Sequence, residues 1–411
     1  MSQRSIVTII IASKQTMATY AFAFYCLLFI GSHSLPAYSE VLLDIRMQQF
    51  SDRSIPRFRV DASWPSVPDE LMIGQIPGLA VDKGDNVWIL QRPNSLGFSD
   101  TGLAKEPPAA VCCRPAPHVM QFSPEGKLLR AWGGVDHAPT VAGINQWPAN
   151  VHGLYIDKAG DVWIAGNGEG DHVVLKFKAD GTFVQRLGSR MSSDGNRSRD
   201  TLGGPADIVR IGATGETLIA DGYINRRIIG FDRDGTFTRF WGAYGLSPDA
   251  PSRSGDFDQS QASSDSDGGA NVSARSFGDI VHCIVQGPRG YIYVCDRRNN
   301  RIQVFELGRS LDTEHVEDIV IAPSTGGTRT VSDIAFSPDG QFMYVSDMMN
   351  GQVWILDAKS YEQLGALGRN GRYPGQFIWL HSVATDSAGN IYTTEVSTGR
   401  RVQKFVFEEV R

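Results

Sequence analysis

The sequence predicts an all-β chain folded as a six-bladed β-propeller. Three observations predict it. A unit of roughly forty residues recurs along the chain. Each unit contains runs of about five apolar or alternating residues bounded by Gly, Asp and Asn, the pattern of short strands joined by tight turns. A spare strand-like segment precedes the first unit, and the last unit stops one strand short.

The elements follow in chain order. Residues 1–39 read as a signal peptide. Ala18 to Gly31 is apolar and uncharged, Arg4 and Lys14 precede it, and Ala37-Tyr38-Ser39 is a small-x-small cleavage site. The apolar stretch is short for a bilayer span, which disfavours the alternative of an uncleaved anchor. Met17 is an alternative translation start. The expectation is a secreted or periplasmic protein with no membrane association once the leader is removed. Residues 40–71 form an N-terminal segment. Its Arg57 to Trp64 stretch is the spare strand, expected to complete the last blade and so close the ring without an open edge.

The propeller is expected over residues 72–411. Unit one begins at Gly78 with GLAVDKGDNVWIL. Unit two is the clearest, running from His152 to Gly188 with a turn at Lys158–Asp161 and another at Asp180-Gly181. Unit three contains ETLIADGYINRRIIGFDRDGTFTRFWG, unit four HCIVQGPRGYIYVCDRRNNRIQVFE, and unit five SDIAFSPDGQFMYVSDMMNGQVWILD. Unit six, HSVATDSAGNIYTTEVSTGRRVQKFVF, ends after a third strand. Six four-stranded units suit a closed ring better than a linear β-solenoid, whose coils are shorter. Residues 246–279 interrupt the pattern with Ser, Asp and Gly and read as a flexible insertion.

Composition narrows the classes. There are 44 Gly in 411 residues, far below the collagen proportion, and 41% hydrophobic residues, too many for a disordered chain. A net charge of −6 disfavours nucleic acid as a partner. With 5 Cys and no CxxC pair, neither a disulfide scaffold nor a thiolate metal site is indicated. Cys283 and Cys295 flank the turn at Gly287–Gly290 almost symmetrically. They read equally well as a disulfide or as two buried thiols. Cys112-Cys113 is either a vicinal pair or reduced. Asn196-Arg-Ser and Asn271-Val-Ser match the N-glycosylation pattern.

Aligning the six first strands on their following turns puts Pro77, His152, Ala206, His282, Ser332 and His381 in one register. The first strand of a blade lines the central channel, so histidines from alternate blades converge on the axis. The chain has 8 His, and His118, His137, His172 and His315 lack the register. Three imidazoles with an open fourth position suit a first-row metal, zinc above all. Channel-lining histidines bound to water are the alternative.

The sequence resembles the peptidyl-α-hydroxyglycine α-amidating lyases, six-bladed propellers of NHL-type repeats. The likeness runs from about Gly78 to Phe407. It rests on HGLYID around His152, VHCIV around His282, LHSVA around His381, Ala220-Asp-Gly-Tyr-Ile-Asn-Arg-Arg227 and Cys295-Asp-Arg-Arg-Asn-Asn-Arg-Ile302. The resemblance implies zinc on His152, His282 and His381. It implies a catalytic tyrosine at Tyr223 and active-site arginines at Arg297 and Arg92, the latter in Gln91-Arg92-Pro93. It also implies a monomeric lyase acting on a small-molecule or peptide substrate with a C-terminal α-hydroxyglycine. The family's acidic residue after the third histidine is Ser382 here, which puts calcium in doubt. Leu154 matches a position that offers calcium its backbone carbonyl. Arg227 and Arg301 are expected to tie adjacent strands rather than to act in chemistry. Two other functions compete. A non-catalytic propeller that binds protein or ligand needs no convergent imidazoles. A calcium-dependent lactonase-like hydrolase needs channel-facing carboxylates, which the aligned register positions lack.

Overall fold

The computed structural model describes residues 47–249, 272–308, 312–325 and 327–411. The expected signal peptide, Asn271 and most of the 246–279 insertion lie outside them. Six four-stranded antiparallel blades follow one another. Their first strands are Gln75–Val81, Val151–Ile156, Pro205–Arg210, Val281–Gln286, Asp333–Phe336 and Leu380–Thr385. In blade six the outermost strand is Pro56–Asp61, paired antiparallel with Val402–Val410. The N-terminal spare strand therefore closes the ring, as the repeat count predicts. A second piece of the N-terminal segment, Met47–Gln49, adds a fifth strand to the edge of blade five. Sequence inspection missed it, because three residues carry no readable alternation. No helix among the described residues is long and apolar enough to cross a membrane.

Burial falls from the axis outwards. The second strand of blade three, Thr217–Asp221, is buried at every residue, whereas Leu128–Trp132, outermost in blade one, is largely exposed. Among the described residues the core is six apolar clusters, each shared by two neighbouring blades. Each blade is thus a thin sheet that is stable only when sandwiched, the usual condition of repeat architectures.

The repeat carries its own turn clamp. Asp82, Asp157 and Asp386 close the first hairpins of blades one, two and six. Each carboxylate accepts a turn amide N–H and also a side-chain donor six residues on: Trp88, Trp163 or Tyr392. A second device joins inner strands. Arg227 pairs with Asp221 and Arg301 with Asp296, each at 2.9 Å and fully buried, and Arg401 pairs with Glu395 at 2.8 Å. Arg227 also donates to the carbonyls of Asn196, Ser198 and Thr201, tying down the loop that enters blade three. Cys283 and Cys295 are disulfide-bonded across the first two strands of blade four, and the sulfurs of Cys112 and Cys113 are joined as well.

Closure by the Pro56–Asp61 strand sets a stability prediction. Phe58 is buried between blades five and six, edge-on to Tyr344 and Phe407. Phe58→Ala should cost about 3–5 kcal/mol. Urea unfolding followed by tryptophan fluorescence measures it, with the exposed Phe98→Ala as a control expected to change little.

Candidate metal centre and active site

The three register histidines meet at the axis. The rings of His152, His282 and His381 are buried, with centroids 4.8–4.9 Å apart. One ring nitrogen from each lies within 4.8 Å of the others. The local backbone explains why. Each of these first strands begins with a bulge, as between Val151 and Leu154, so consecutive residues there turn towards the channel.

Each Nδ1 is committed to a neighbouring blade. His152 Nδ1 donates to the carbonyl of Ala206 at 2.8 Å, and His282 Nδ1 to that of Ser332 at 2.6 Å. His381 Nδ1 is served by the Pro77 carbonyl and by the Ser382 hydroxyl, 3.2 Å away. The acceptors are the alternate members of the same register. A ring that donates from Nδ1 keeps its lone pair on Nε2, the form a metal requires. The close approach depends on Gly153, whose added Cβ would stand 2.4 Å from the Ala206 carbonyl oxygen.

The three imidazoles are held neutral. Burial pushes each well below the usual histidine range, and the charges of Arg92 and Arg297 push His152 and His381 further the same way. His282 Nε2 is buried with no hydrogen-bond partner. An orphaned, neutral imidazole nitrogen in a ring of three fits a first-row divalent metal and is costly otherwise. The residues present therefore fit the implied metal.

One side of the histidine layer opens into a cavity of about 330 Å³. It is lined by Arg92, His152, Asn167, Tyr223, Arg297, Arg329, Met348, Trp379, His381, Val396 and Ser397. All the sequence-expected site residues except His282 line it. The Tyr223 hydroxyl donates to His152 Nε2 at 2.8 Å, and the Arg297 guanidinium lies 5.9 Å from the centre of the Tyr223 ring. Tyr223 is placed by the turn after Asp221. Its N–H bonds the Gly204 carbonyl, and a Cβ on Gly222 would stand 2.1 Å from the Val281 carbonyl oxygen. Only glycine lets this turn lie against the residue before His282. Arg92 is half-buried, and that burial lowers its pKa. Its donors go to neutral oxygens: the Val151 carbonyl at 2.9 Å, Gln75 at 3.1 Å and Asn167 at 3.4 Å.

The other side is the central channel, about 410 Å³, walled by all six first strands. It holds two carboxylates that sequence inspection overlooked. Asp207 and Asp333 directly follow the register positions of blades three and five and face the channel. Burial raises both, Asp333 to about 7, and the charge of Asp333 adds to the rise at Asp207. Asp207 accepts the Ile284 N–H and Asp333 the Val383 N–H, each at 3.0 Å. The absence of acidic residues at the aligned register positions thus did not mean an uncharged channel. The readable signal was one residue further along. Ser382 donates to the Pro77 carbonyl at 3.0 Å. Arg329 and Trp379 were also missed, because they lie in loops between blades, and Met348 because it sits in a hairpin turn of unit five that carries no strand pattern.

The NHL repeat model matches residues 280–305, in blade four. Mouse NHL repeat-containing protein 3 is 23% identical over 361 residues, 85% of this chain and 84% of its own length. Peptidyl-alpha-hydroxyglycine alpha-amidating lyase 1 of Drosophila melanogaster is 24% identical over 364 residues, 84% of this chain and 59% of its own. The chain is a distant relative of both. A solved gluconolactonase from Xanthomonas campestris superposes with a TM-score of 0.50 at 11% identity, over 91% of this chain and 99% of that one, which bears on the fold alone.

Two predictions follow from the centre. The purified full-length protein should carry about one divalent metal per chain by elemental analysis. His282→Ala should abolish it without altering the far-ultraviolet spectrum. The second concerns Asp333, whose raised carboxyl favours the folded state only while protonated. The stability it contributes is complete below about pH 4 and lost as pH rises through about 7. Asp333→Asn should therefore raise Tm at pH 8 by a few degrees and much less at pH 5.

Proposed function

We propose that the chain is a zinc-dependent lyase. It splits the carbinolamide C–N bond of a peptidyl-α-hydroxyglycine, or of a similar α-hydroxy-amide, into an amide and glyoxylate. One observation carries the reading. The Tyr223 hydroxyl stands 2.8 Å from Nε2 of His152, the nitrogen that would face a metal, in a cavity that Arg92 and Arg297 also line. The resemblance to an amidating lyase over 84% of the chain supports it.

The reaction needs three things. The C–N bond breaks as the hydroxyl oxygen becomes the aldehyde oxygen of glyoxylate. The hydroxyl gives up a proton and the departing amide nitrogen gains one, so no oxidant, reductant or water is consumed. A zinc ion held by His152, His282 and His381 would supply Lewis-acid polarisation of the substrate hydroxyl.

The chain's own residues do the rest. The Tyr223 phenolic oxygen is the group placed to take the hydroxyl proton and return it to the nitrogen. The Arg297 guanidinium stands over the Tyr223 ring. Arg92 and Arg297 receive the substrate carboxylate, for which the guanidinium fork is well shaped. Burial strengthens that pairing, since little water competes inside the cavity. Arg92 is held in place by its neutral acceptors and needs no rearrangement to act. The carboxylates of Asp207 and Asp333 lie across the histidine layer and take no part in these steps. Calcium is not part of the proposal, because Ser382 is bonded to Pro77 where the resemblance implies an acid.

A second reading is a propeller that binds without chemistry. The similarity to NHL repeat-containing protein 3, named for its repeat alone, supports it. We also propose that the chain acts as a monomer and that residues 1–39 direct export to a secreted or periplasmic location.

Glyoxylate release from α-hydroxyhippurate tests the lyase reading. Zinc-loaded protein should turn it over. Tyr223→Phe should lower kcat by about a hundredfold or more while retaining the metal. Zinc-loaded wild-type protein that releases no glyoxylate would leave the binding reading in its place.

A further inference from the structure

The cavity beside the histidines is divided between the blades. The second strand of each blade ends there, and its last residue, or one of the two that follow, lines the cavity. In blade order these residues are Arg92, Asn167, Tyr223, Arg297, Met348 and Val396. Blades one to four thus supply polar groups, and blades five and six supply a thioether and an isopropyl group. Trp379, from the loop that enters blade six, joins the apolar sector. The proposed reaction uses the polar sector alone. Met348, Trp379 and Val396 belong to none of the six apolar clusters of the core, so packing of the blades does not account for them.

The backbone singles out the tryptophan. Trp379, two residues before His381, has φ +54°. For a bulky residue this left-handed backbone is strained, and glycine would adopt it at less cost. The position nevertheless carries an indole, and 36% of the residue's surface stays exposed. Local bonds make the apolar sector one surface. The Val396 N–H donates to the Trp379 carbonyl at 3.1 Å, and the Met348 N–H to the Arg329 carbonyl at 3.2 Å. The Arg329 guanidinium in turn lies 5.7 Å from the centre of the Trp379 ring and braces it.

We infer that Met348, Trp379 and Val396 form a side-chain subsite for an aromatic residue immediately before the α-hydroxyglycine. The inference rests on the lyase reading for which end of the substrate meets the histidines. With the α-hydroxyglycine in the polar sector, the preceding Cα lies only about 3.8 Å from its own, so the side chain there enters the same cavity. A phenyl ring laid against the indole gains apolar burial and a ring–ring contact. The Met348 thioether adds a sulfur–aromatic contact at the ring edge. A methyl group in the same place gains little of this.

The test uses unreactive glycine analogues, so binding is read separately from turnover. Titration calorimetry on the full-length, zinc-loaded protein compares N-acetyl-Phe-Gly with N-acetyl-Ala-Gly. The phenylalanine form should bind about tenfold more tightly. Trp379→Gly, which removes the ring and suits the left-handed backbone, should bring the ratio close to one, and Trp379→Phe should keep most of it. Because the ratio is internal to each protein, partial misfolding of a variant does not imitate the effect. Equal affinities in the wild type, no measurable binding of either peptide, or a phenylalanine preference that persists in Trp379→Gly would overturn the inference. Glyoxylate release from α-hydroxyhippurate separates it from the lyase reading. Release without a phenylalanine preference removes the apolar subsite alone. A phenylalanine preference lost in Trp379→Gly, without release, upholds that subsite and removes the lyase.

Discussion

The hydrogen bond from each histidine Nδ1 to its neighbouring blade is the interaction on which the site depends. It joins His152 to Ala206 and His282 to Ser332, and the Pro77 carbonyl plays the same part for His381. These bonds fix which nitrogen is protonated, which way each ring points, and how closely the first strands approach. They require a closed ring, since the partner of blade six is blade one. They also require glycine where the strands nearly touch, as at Gly153. The closing strand at Pro56–Asp61 is remote from the chemistry, yet it maintains the circle that gives His381 its acceptor.

The histidine layer separates two charge environments. Arginines gather on one side, and Asp207 and Asp333 face the channel on the other. In a buried site such charges act at longer range than in water. Burial, with the arginine charges added to it, keeps the imidazoles neutral, while the raised carboxyls limit the negative charge beneath. This arrangement suits the proposed centre, in which a carboxylate would enter on the arginine side and a metal would be held by neutral nitrogen donors.

Much of this was legible in the sequence because the fold repeats. Register alone linked His152, His282 and His381 across more than two hundred residues, and the incomplete sixth unit pointed to the spare strand near Phe58. The D-G-Y turn of Tyr223 and the D-R turn of Arg297 were visible through resemblance. Other features had no periodic signal. Asp207 follows a bulge that shifts alternation by one residue, whereas Asp333 lies one residue past the register position in a strand that pairs without a bulge. Arg329 and Trp379 sit in inter-blade loops at left-handed backbone positions, which no strand pattern forecasts. The Cys283–Cys295 bond was open in sequence because hairpin symmetry permits a pairing without requiring it.

X-ray absorption at the zinc edge of the metal-loaded full-length protein tests the central claim most directly. The account predicts three imidazole nitrogens at about 2.0–2.1 Å with one further light donor, and loss of that shell in His282→Ala. A shell with fewer than three imidazoles, or one unchanged in His282→Ala, would contradict it.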